Sequence, residues 1–261
     1  MNIGVSTSCL YPLETEKALL SVAAAGIATT EIFFNANCEL EDVFVKKLKA
    51  IKDEFGINIV SIHPTMSLAE SFMLFSNYER RYVEAIGQYK RYAEIANELG
   101  AKYLIMHGGK PNRVLDNEDY FERFAVISET VRGHGALLLQ ENVVRFRAGN
   151  LDVLKSMKDY LGSNAAFCLD VKQCIRGGYS PFDAMAALKD SVKHIHISDS
   201  TPENDCMLPL YGQFDFPAFF ELCKRCNYGG DAIIEVYRDA YQNEKELYGS
   251  YANFVEKIFE K

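Results

Sequence analysis

The chain has 261 residues, of which 48% are hydrophobic and 25% are charged, and its formal net charge is −8. This composition is typical of a folded protein, and the length suits either two domains or one α/β barrel of roughly 250 residues. The acidic balance argues against duplex DNA or an anionic membrane as the partner, because both are negatively charged.

The chain shows no targeting or membrane-spanning pattern. Its first residues, MNIGVSTSCL, contain no cationic segment followed by an apolar one, so no signal peptide is predicted. The longest mostly apolar stretch, ALLSVAAAGIA, is far shorter than the roughly 20 residues that a membrane span needs. Seven scattered cysteines suit reduced thiols. We therefore expect a cytoplasmic protein with no nucleic-acid or membrane partner, whether it is monomeric or a homo-oligomer.

Strand-like runs alternate with segments of helical period along the whole chain. An example of the helical segments is ERRYVEAIGQYKRYAEIANEL (79–99), in which apolar residues recur at steps of three and four. Glycines stand near the ends of such segments, where helices often terminate. The strand-like runs cover residues 2–8, 29–34, 57–64, 101–109, 136–143, 165–172, 192–200 and 231–237.

Eight strand-then-helix units without a low-complexity linker predict a parallel sheet. Eight units favour closure into a (β/α)8 TIM barrel, which would make residues 1–261 a single domain. An open dinucleotide-binding sheet would show G-x-G-x-x-G after its first strand, and the sequence there is STSCLYP. The barrel is therefore the predicted fold.

Polar side chains stand late in most of these strands. In a barrel, reactive groups lie at the carboxyl ends of the strands. Any one of these residues, taken alone, fits a hydrogen-bonded buried group better than it fits a ligand. His194 is predicted to be such a group, one layer deeper than His196, and Glu31 is assigned no role. The residues are Glu31, His63, His107, Glu141, Asp170, His196 and Glu235.

Four consecutive strands end in Glu141, Asp170, His196 and Glu235. Three carboxylates and one imidazole that converge on one opening would repel one another without a cation. One divalent metal ion would remove that repulsion. Ligation by several oxygens and one nitrogen suits Mn, Mg or Co, with Zn as an alternative.

At this point the chain resembles the xylose isomerase-like TIM-barrel superfamily. This superfamily includes D-tagatose 3-epimerase-like enzymes, hydroxypyruvate isomerases, inosose dehydratases and endonuclease IV-type nucleases. The resemblance covers nearly the whole chain, and its order and spacing are more specific than any single motif. The motifs are LIMHGG (104–109), LLQENV (138–143), FCLDV (167–171), HIHISDS (194–200), FDFPAFF (214–220) and AIIEVY (232–237).

The resemblance implies a metal-dependent isomerase or epimerase that acts on a sugar, sugar phosphate or sugar acid. Glu141, Asp170, His196 and Glu235 would hold one divalent ion, and the two glutamates would transfer a proton through an enediolate. An inosose dehydratase-like lyase and a non-catalytic sugar-binding barrel are the alternatives. A three-zinc endonuclease fits less well, because the chain matches that group at His63 and His107 but lacks its other histidines.

The remaining candidates are substrate-binding groups: His63, His107, Lys172, Gln173, Arg145 and Arg147. Gln173 stands where the superfamily usually has a histidine. Basic residues cluster in the segments after several strands, which indicates either a phosphate or carboxylate on the substrate or the neutralisation of nearby acidic side chains. These basic residues are Lys110, Arg113, Arg145, Arg147, Lys172, Arg176 and Arg238.

Overall fold

The protein is described by a computed structural model that covers residues 1–64, 69–111 and 115–259. Eight parallel strands pair in chain order and the last pairs with the first, which closes a barrel. The predicted (β/α)8 barrel is confirmed. The strands are β1 (Ile3–Ser6), β2 (Thr29–Phe33), β3 (Asn58–His63), β4 (Tyr103–Met106), β5 (Leu137–Glu141), β6 (Phe167–Asp170), β7 (Val192–Ile197) and β8 (Ala232–Ile234).

At least one α-helix follows each strand and packs on the outside of the barrel. Within the described residues, no helix is both long enough and apolar enough to cross a membrane. The helices are α1 (Thr15–Ala24), α2 (Asp42–Phe55), α3 (Glu70–Met73), α4 (Glu79–Leu99), α5 (Asn117–Gly133), α6 (Leu151–Leu161), α7 (Val171–Arg176), α8 (Pro181–Leu188), α9 (Phe216–Arg225) and α10 (Glu244–Phe259).

The long helices α2 and α4 end where the sequence provides glycine. Gly56 and Gly100 directly follow them with φ angles of 65° and 74°, and each backbone N–H donates to a carbonyl of the last helical turn. A side chain disfavours this left-handed conformation, and glycine adopts it without a steric cost. The chain can therefore turn sharply into β3 and β4.

Alternation along the strands separates an outer core from the lumen. On β7, Ile195 and Ile197 belong to the large apolar core shared with the helices. His194 and His196 point the other way and are fully buried. A smaller apolar cluster, which by alternation fills the lower lumen, consists of Ile105, Leu139, Ala166 and Cys168. The polar residues at the strand ends lie above this layer.

Candidate metal and active site

The four predicted metal ligands lie together at the carboxyl end of the barrel. Glu141 and Asp170 are the last residues of β5 and β6, and Glu235 directly follows β8. The register pairs Asp170 with His196 on the neighbouring strand. One donor atom from each of the four residues falls within 4.8 Å of the others. The structure thus places in one cluster the residues that the sequence singled out.

The donor atoms suit a divalent ion in both spacing and chemistry. His196 Nδ1 lies 3.3 Å from Glu141 Oε1 and 3.5 Å from Glu235 Oε2. Neighbouring ligands in an octahedral shell with bonds of about 2.1 Å are roughly 3.0 Å apart, and opposite ligands about 4.2 Å. Both distances are slightly longer than the spacing of neighbouring ligands in such a shell, and four protein ligands would leave two of its six positions open. Three carboxylates and one imidazole match the predicted donor set.

Glu31 orients the histidine of this cluster. His196 Nε2 lies 3.0 Å from Glu31 Oε2, while Nδ1 faces the other ligands. Glu31 is fully buried and accepts hydrogen bonds from Ser6 Oγ at 3.1 Å and from Ser61 Oγ at 2.8 Å. With Nε2–H donating to Glu31, loss of the Nδ1 proton leaves the Nδ1 lone pair toward the cluster, which is the tautomer that a metal needs.

His194 lies beneath His196, as the sequence predicted. Its Nε2 atom is 3.2 Å from Ser61 Oγ and 3.6 Å from Glu31 Oε2. The side chain has no exposed surface. Glu31, His194 and His196 also form a group with metal-ligand spacing. Because Ser6, Ser61 and His194 already surround the Glu31 carboxylate, we interpret Glu31 as the partner that orients His196.

We expect Glu31→Gln to weaken the binding of a divalent ion by about 10- to 100-fold, the usual effect of losing an outer partner of a ligand histidine. The amide keeps the size but loses the charge that favours Nε2–H on His196. Glu39→Gln is the matched control, since Glu39 is buried and hydrogen-bonded to Thr15 rather than to the cluster. Calorimetric titration with Mn²⁺ measures both variants. Equal affinity of the Glu31 variant and the control would contradict the orienting role.

His63 and His107 contact Glu141 at the carboxylate oxygen that His196 does not contact. Their Nε2 atoms lie 3.4 Å and 3.0 Å from Glu141 Oε2, and the two rings meet edge to face with centroids 4.6 Å apart. With Glu141 they form another group that has metal-ligand spacing. His107 lines the cavity above the cluster, whereas His63 is buried against Phe33. Their role in substrate binding stays a prediction.

Asp170 is the N-cap residue of α7, and this position decides where Lys172 and Gln173 lie. Asp170 Oδ1 caps the helix by accepting from the Gln173 backbone N–H at 3.1 Å. The Lys172 ammonium lies 2.5 Å from Asp170 Oδ2 and 2.9 Å from Glu235 Oε2. Gln173 Oε1 accepts from the backbone N–H of Val144 at 3.0 Å and so connects the segments after β5 and β6. Lys172 therefore contacts two predicted metal ligands, which the sequence did not indicate.

Burial and charge shift the pKa values of the cluster in different directions. Burial opposes ionisation of Glu141, but His107, His196 and His63 hold its pKa well below the usual range. Burial raises the pKa of Asp170 to about 6, although Lys172 acts in the opposite direction.

Glu235 and His196 both favour their charged forms. Burial acts against ionisation of Glu235, yet Lys172 and His196 lower its pKa. Burial also disfavours charge on His196, but the Cys168 sulfur and the carboxylates of Glu31 and Glu235 raise its pKa well above the usual value. Without a metal ion, the negative charge of the cluster is partly offset by the Lys172 ammonium group and the His196 imidazolium group.

A cavity of about 650 Å³ opens above the cluster. Glu141, Lys172 and Glu235 lie at its bottom, and His107 and Gln173 border an adjoining cavity of about 580 Å³. Aromatic residues supply much of the wall, which sequence reasoning missed. Three of them are tyrosines outside the strands and α-helices, where residues carry no periodic signal. These residues are Tyr11, Phe33, Tyr237 and Tyr241.

Most of the basic residues at this face already have protein partners. Arg147 donates to Asn117 Oδ1 at 2.8 Å and to the Leu115 carbonyl at 2.6 Å. Arg176 forms two hydrogen bonds of 2.7 Å with Asp205. These contacts are structural for Arg147 and neutralising for Arg176, and the role of Arg147 in substrate binding stays a prediction.

The other basic residues at this face differ in their exposure and in their hydrogen-bond partners. Arg238 donates to the carbonyl groups of Tyr241 and Gln242. Arg145 is exposed, lines the adjoining cavity and forms no ion pair with any residue that the structure describes. Lys110 is also exposed. Arg113 lies outside the described residues.

The fold and the site together define a class of protein. It is a closed parallel barrel with a carboxylate-rich cluster at the carboxyl ends of its strands. A family model described as xylose isomerase-like TIM barrel matches residues 19–258. The chain belongs to this family, as the sequence motifs indicated. A protein of Methanocaldococcus jannaschii with no characterised function is 25% identical over 281 residues, which cover the whole of this chain and 93% of that protein.

Solved structures of sugar epimerases share the fold. The D-allulose 3-epimerase of a Methylomonas species, determined with D-allulose, has a TM-score of 0.80 at 16% identity and covers 99% of this chain and 97% of its own. The 3-keto-D-glucoside 4-epimerase of E. coli, in its apo form, has a TM-score of 0.77 at 17% identity and covers 97% and 98%. At these identities the similarity establishes the architecture.

Proposed function

We propose that the protein is a divalent-metal-dependent isomerase or epimerase acting on a carbohydrate. The observation that carries this proposal is the cluster of Glu141, Asp170, His196 and Glu235 at the bottom of an open cavity. Its donor set fits Mn²⁺, Mg²⁺ or Co²⁺, with Zn²⁺ as an alternative. The structural similarity to sugar epimerases supports a carbohydrate as the substrate class.

The two glutamates are the proposed acid and base. An ion held by the four ligands would polarise the substrate carbonyl and acidify the neighbouring C–H bond. Glu141 and Glu235 both line the cavity, and both favour the ionised form that accepts a proton. One carboxylate would take the proton from carbon, and the other would return a proton to the opposite face or to the adjacent atom.

Other residues of the chain would bind and orient the substrate. His107 and Gln173 line the cavity beside the cluster, and the Tyr11 and Tyr237 rings offer apolar faces to the C–H groups of a sugar. Arg145 is a basic residue available to an anionic substituent, because its guanidinium has no ion-pair partner in the described part of the chain. A phosphate or carboxylate on the substrate would bind there.

Purified protein is expected to contain about one divalent ion per chain, because one complete set of four ligands is present. Elemental analysis after mild dialysis measures the ion content. A subsequent incubation with candidate ketoses, followed by product analysis, distinguishes an isomerised sugar from the dehydrated product of a lyase. Three tightly held zinc ions per chain would contradict the single-ion site and favour the nuclease.

A further inference from the structure

The ammonium group of Lys172 occupies an unusual position for a site that is rich in metal ligands. It lies 2.5 Å from Asp170 Oδ2, 2.9 Å from Glu235 Oε2 and 3.4 Å from the Glu235 carbonyl oxygen. The side chain is only 3% exposed. The ammonium group therefore lies at the bottom of the cavity with little solvent contact, and these carboxylate and carbonyl oxygens are its hydrogen-bond partners.

Lys172 contacts one oxygen of each of two predicted metal ligands. Asp170 Oδ1 accepts from the Gln173 backbone N–H and keeps one lone pair, while Oδ2 accepts from the Lys172 ammonium group. Glu235 Oε2 is the oxygen that faces His196 Nδ1, at 3.5 Å. An ion that binds Asp170 Oδ2 and Glu235 Oε2 therefore shares both oxygens with Lys172 or displaces its hydrogen bonds.

Lys172 lies to one side of the cluster rather than at its centre. Among the described residues, its ion-pair partners are Asp170 and Glu235, and Glu141 is not one of them. Glu141 instead contacts His63, His107 and His196. The cluster thus has one half in which Asp170 and Glu235 hold the lysine and another half in which three histidines surround Glu141.

We propose that Lys172 competes with the divalent ion for Asp170 Oδ2 and Glu235 Oε2 and thereby lowers the affinity of the site. This inference rests on the proposed metal site. In the metal-free protein the ammonium group pairs with the buried Asp170 carboxylate and the partly buried Glu235 carboxylate and offsets part of their negative charge. In the loaded protein it is a positive charge beside a divalent cation, which weakens the hold of the site on the ion.

Lys172→Met tests the inference, because methionine has a similar length and no charge. The titrant is Mn²⁺ added to protein freed of metal by a chelator, and electron paramagnetic resonance measures the free ion. We expect Lys172→Met to bind Mn²⁺ about tenfold or more tightly than the parent protein. Lys110→Met, which removes an exposed lysine near the same face, is expected to match the parent.

Two further variants separate charge from packing. Lys172→Arg keeps the charge and is expected to show no gain in affinity, whereas Lys172→Gln removes the charge, keeps polarity and is expected to show the gain. The metal-free Lys172→Met protein is also expected to melt at a lower temperature than the parent, and Mn²⁺ is expected to reduce that difference. Lys172→Gln provides the affinity test if the methionine variant does not fold.

The outcomes distinguish this inference from the function on which it rests. Tight Mn²⁺ binding by the parent with equal or weaker binding by both uncharged variants would overturn the competition and leave the metal site intact. Absence of Mn²⁺ binding in the parent and in the uncharged variants alike would overturn the metal site, and the competition with it.

Discussion

Glu141→Gln and Glu235→Gln are each expected to lower turnover by about two to four orders of magnitude, the usual contribution of a general acid or base. Glutamine keeps the size of the side chain and one oxygen ligand but cannot accept the proton. An alanine substitution would remove a metal ligand as well, so loss of chemistry and loss of metal would be confounded. Each glutamine variant is expected to retain metal binding, although more weakly than the parent.

Proton NMR in deuterated water, with Mg²⁺ as the ion to avoid paramagnetic broadening, measures the reaction. The metal-loaded parent should introduce deuterium at the carbon next to the carbonyl of its ketose substrate. One variant is expected to keep this exchange without net isomerisation, because removal of a proton from one face needs only one base. That variant identifies the glutamate that starts the reaction.

Glu39→Gln is the control here as well, since it changes a buried carboxylate outside the cavity. It is expected to turn over substrate at the parental rate. Exchange at the same rate in the parent, Glu141→Gln and Glu235→Gln would show that the assigned proton-transfer roles are wrong. Exchange by none of them, with every candidate ketose, would favour the non-catalytic sugar-binding barrel.

Affinity for the divalent ion is expected to rise about tenfold per pH unit between pH 6 and neutrality. The pKa of His196 is raised well above its usual value, so the imidazole is protonated in this range and its proton must leave before Nδ1 can bind a metal. A lower proton concentration favours the metal-bound form, so the affinity for the ion rises with pH. Above the pKa of His196 the dependence should flatten.

Asp170 makes the pH dependence of the metal affinity steeper at acidic pH. Its pKa is raised to about 6, so below that pH a second proton must be released when the ion binds. We expect a slope near two protons per ion at about pH 5 and near one at about pH 7. Mn²⁺ titration calorimetry in buffers with different ionisation enthalpies counts the protons released.

His134→Ala is the control for this experiment, because His134 lies at the end of α5 and is about one-third exposed. Its slope should equal that of the parent. An affinity that does not change between pH 5 and pH 7 would contradict the assignment of His196 as a ligand that is protonated in the metal-free protein.

The sequence by itself determined the barrel and the residues at its rim. Strand alternation, helical period and the terminating glycines are local patterns, and each depends on neighbouring residues. Once eight such units close in order, topology alone brings the ends of β5 to β8 to one opening. Glu141, Asp170, His196 and Glu235 could therefore be grouped without knowledge of any side-chain contact.

Contacts across the lumen were decided only by the tertiary structure. Glu31 and His196 are 165 residues apart, and their hydrogen bond depends on how the closed barrel turns β2 toward β7. No local pattern encodes that relation, so Glu31 had no predicted role. The same reason explains why the sequence placed Arg176 at the functional face but did not reveal its pairing with Asp205.

Lys172 shows the difference most clearly. Its position two residues after Asp170 is visible in the sequence, and a basic residue there suggested contact with substrate. Its actual partners depend on the first turn of α7, which directs the side chain back over Asp170, and on closure of β8 beside it, which brings Glu235 within reach. Local periodicity determines which elements form, whereas the direction of one long side chain depends on everything that packs around it.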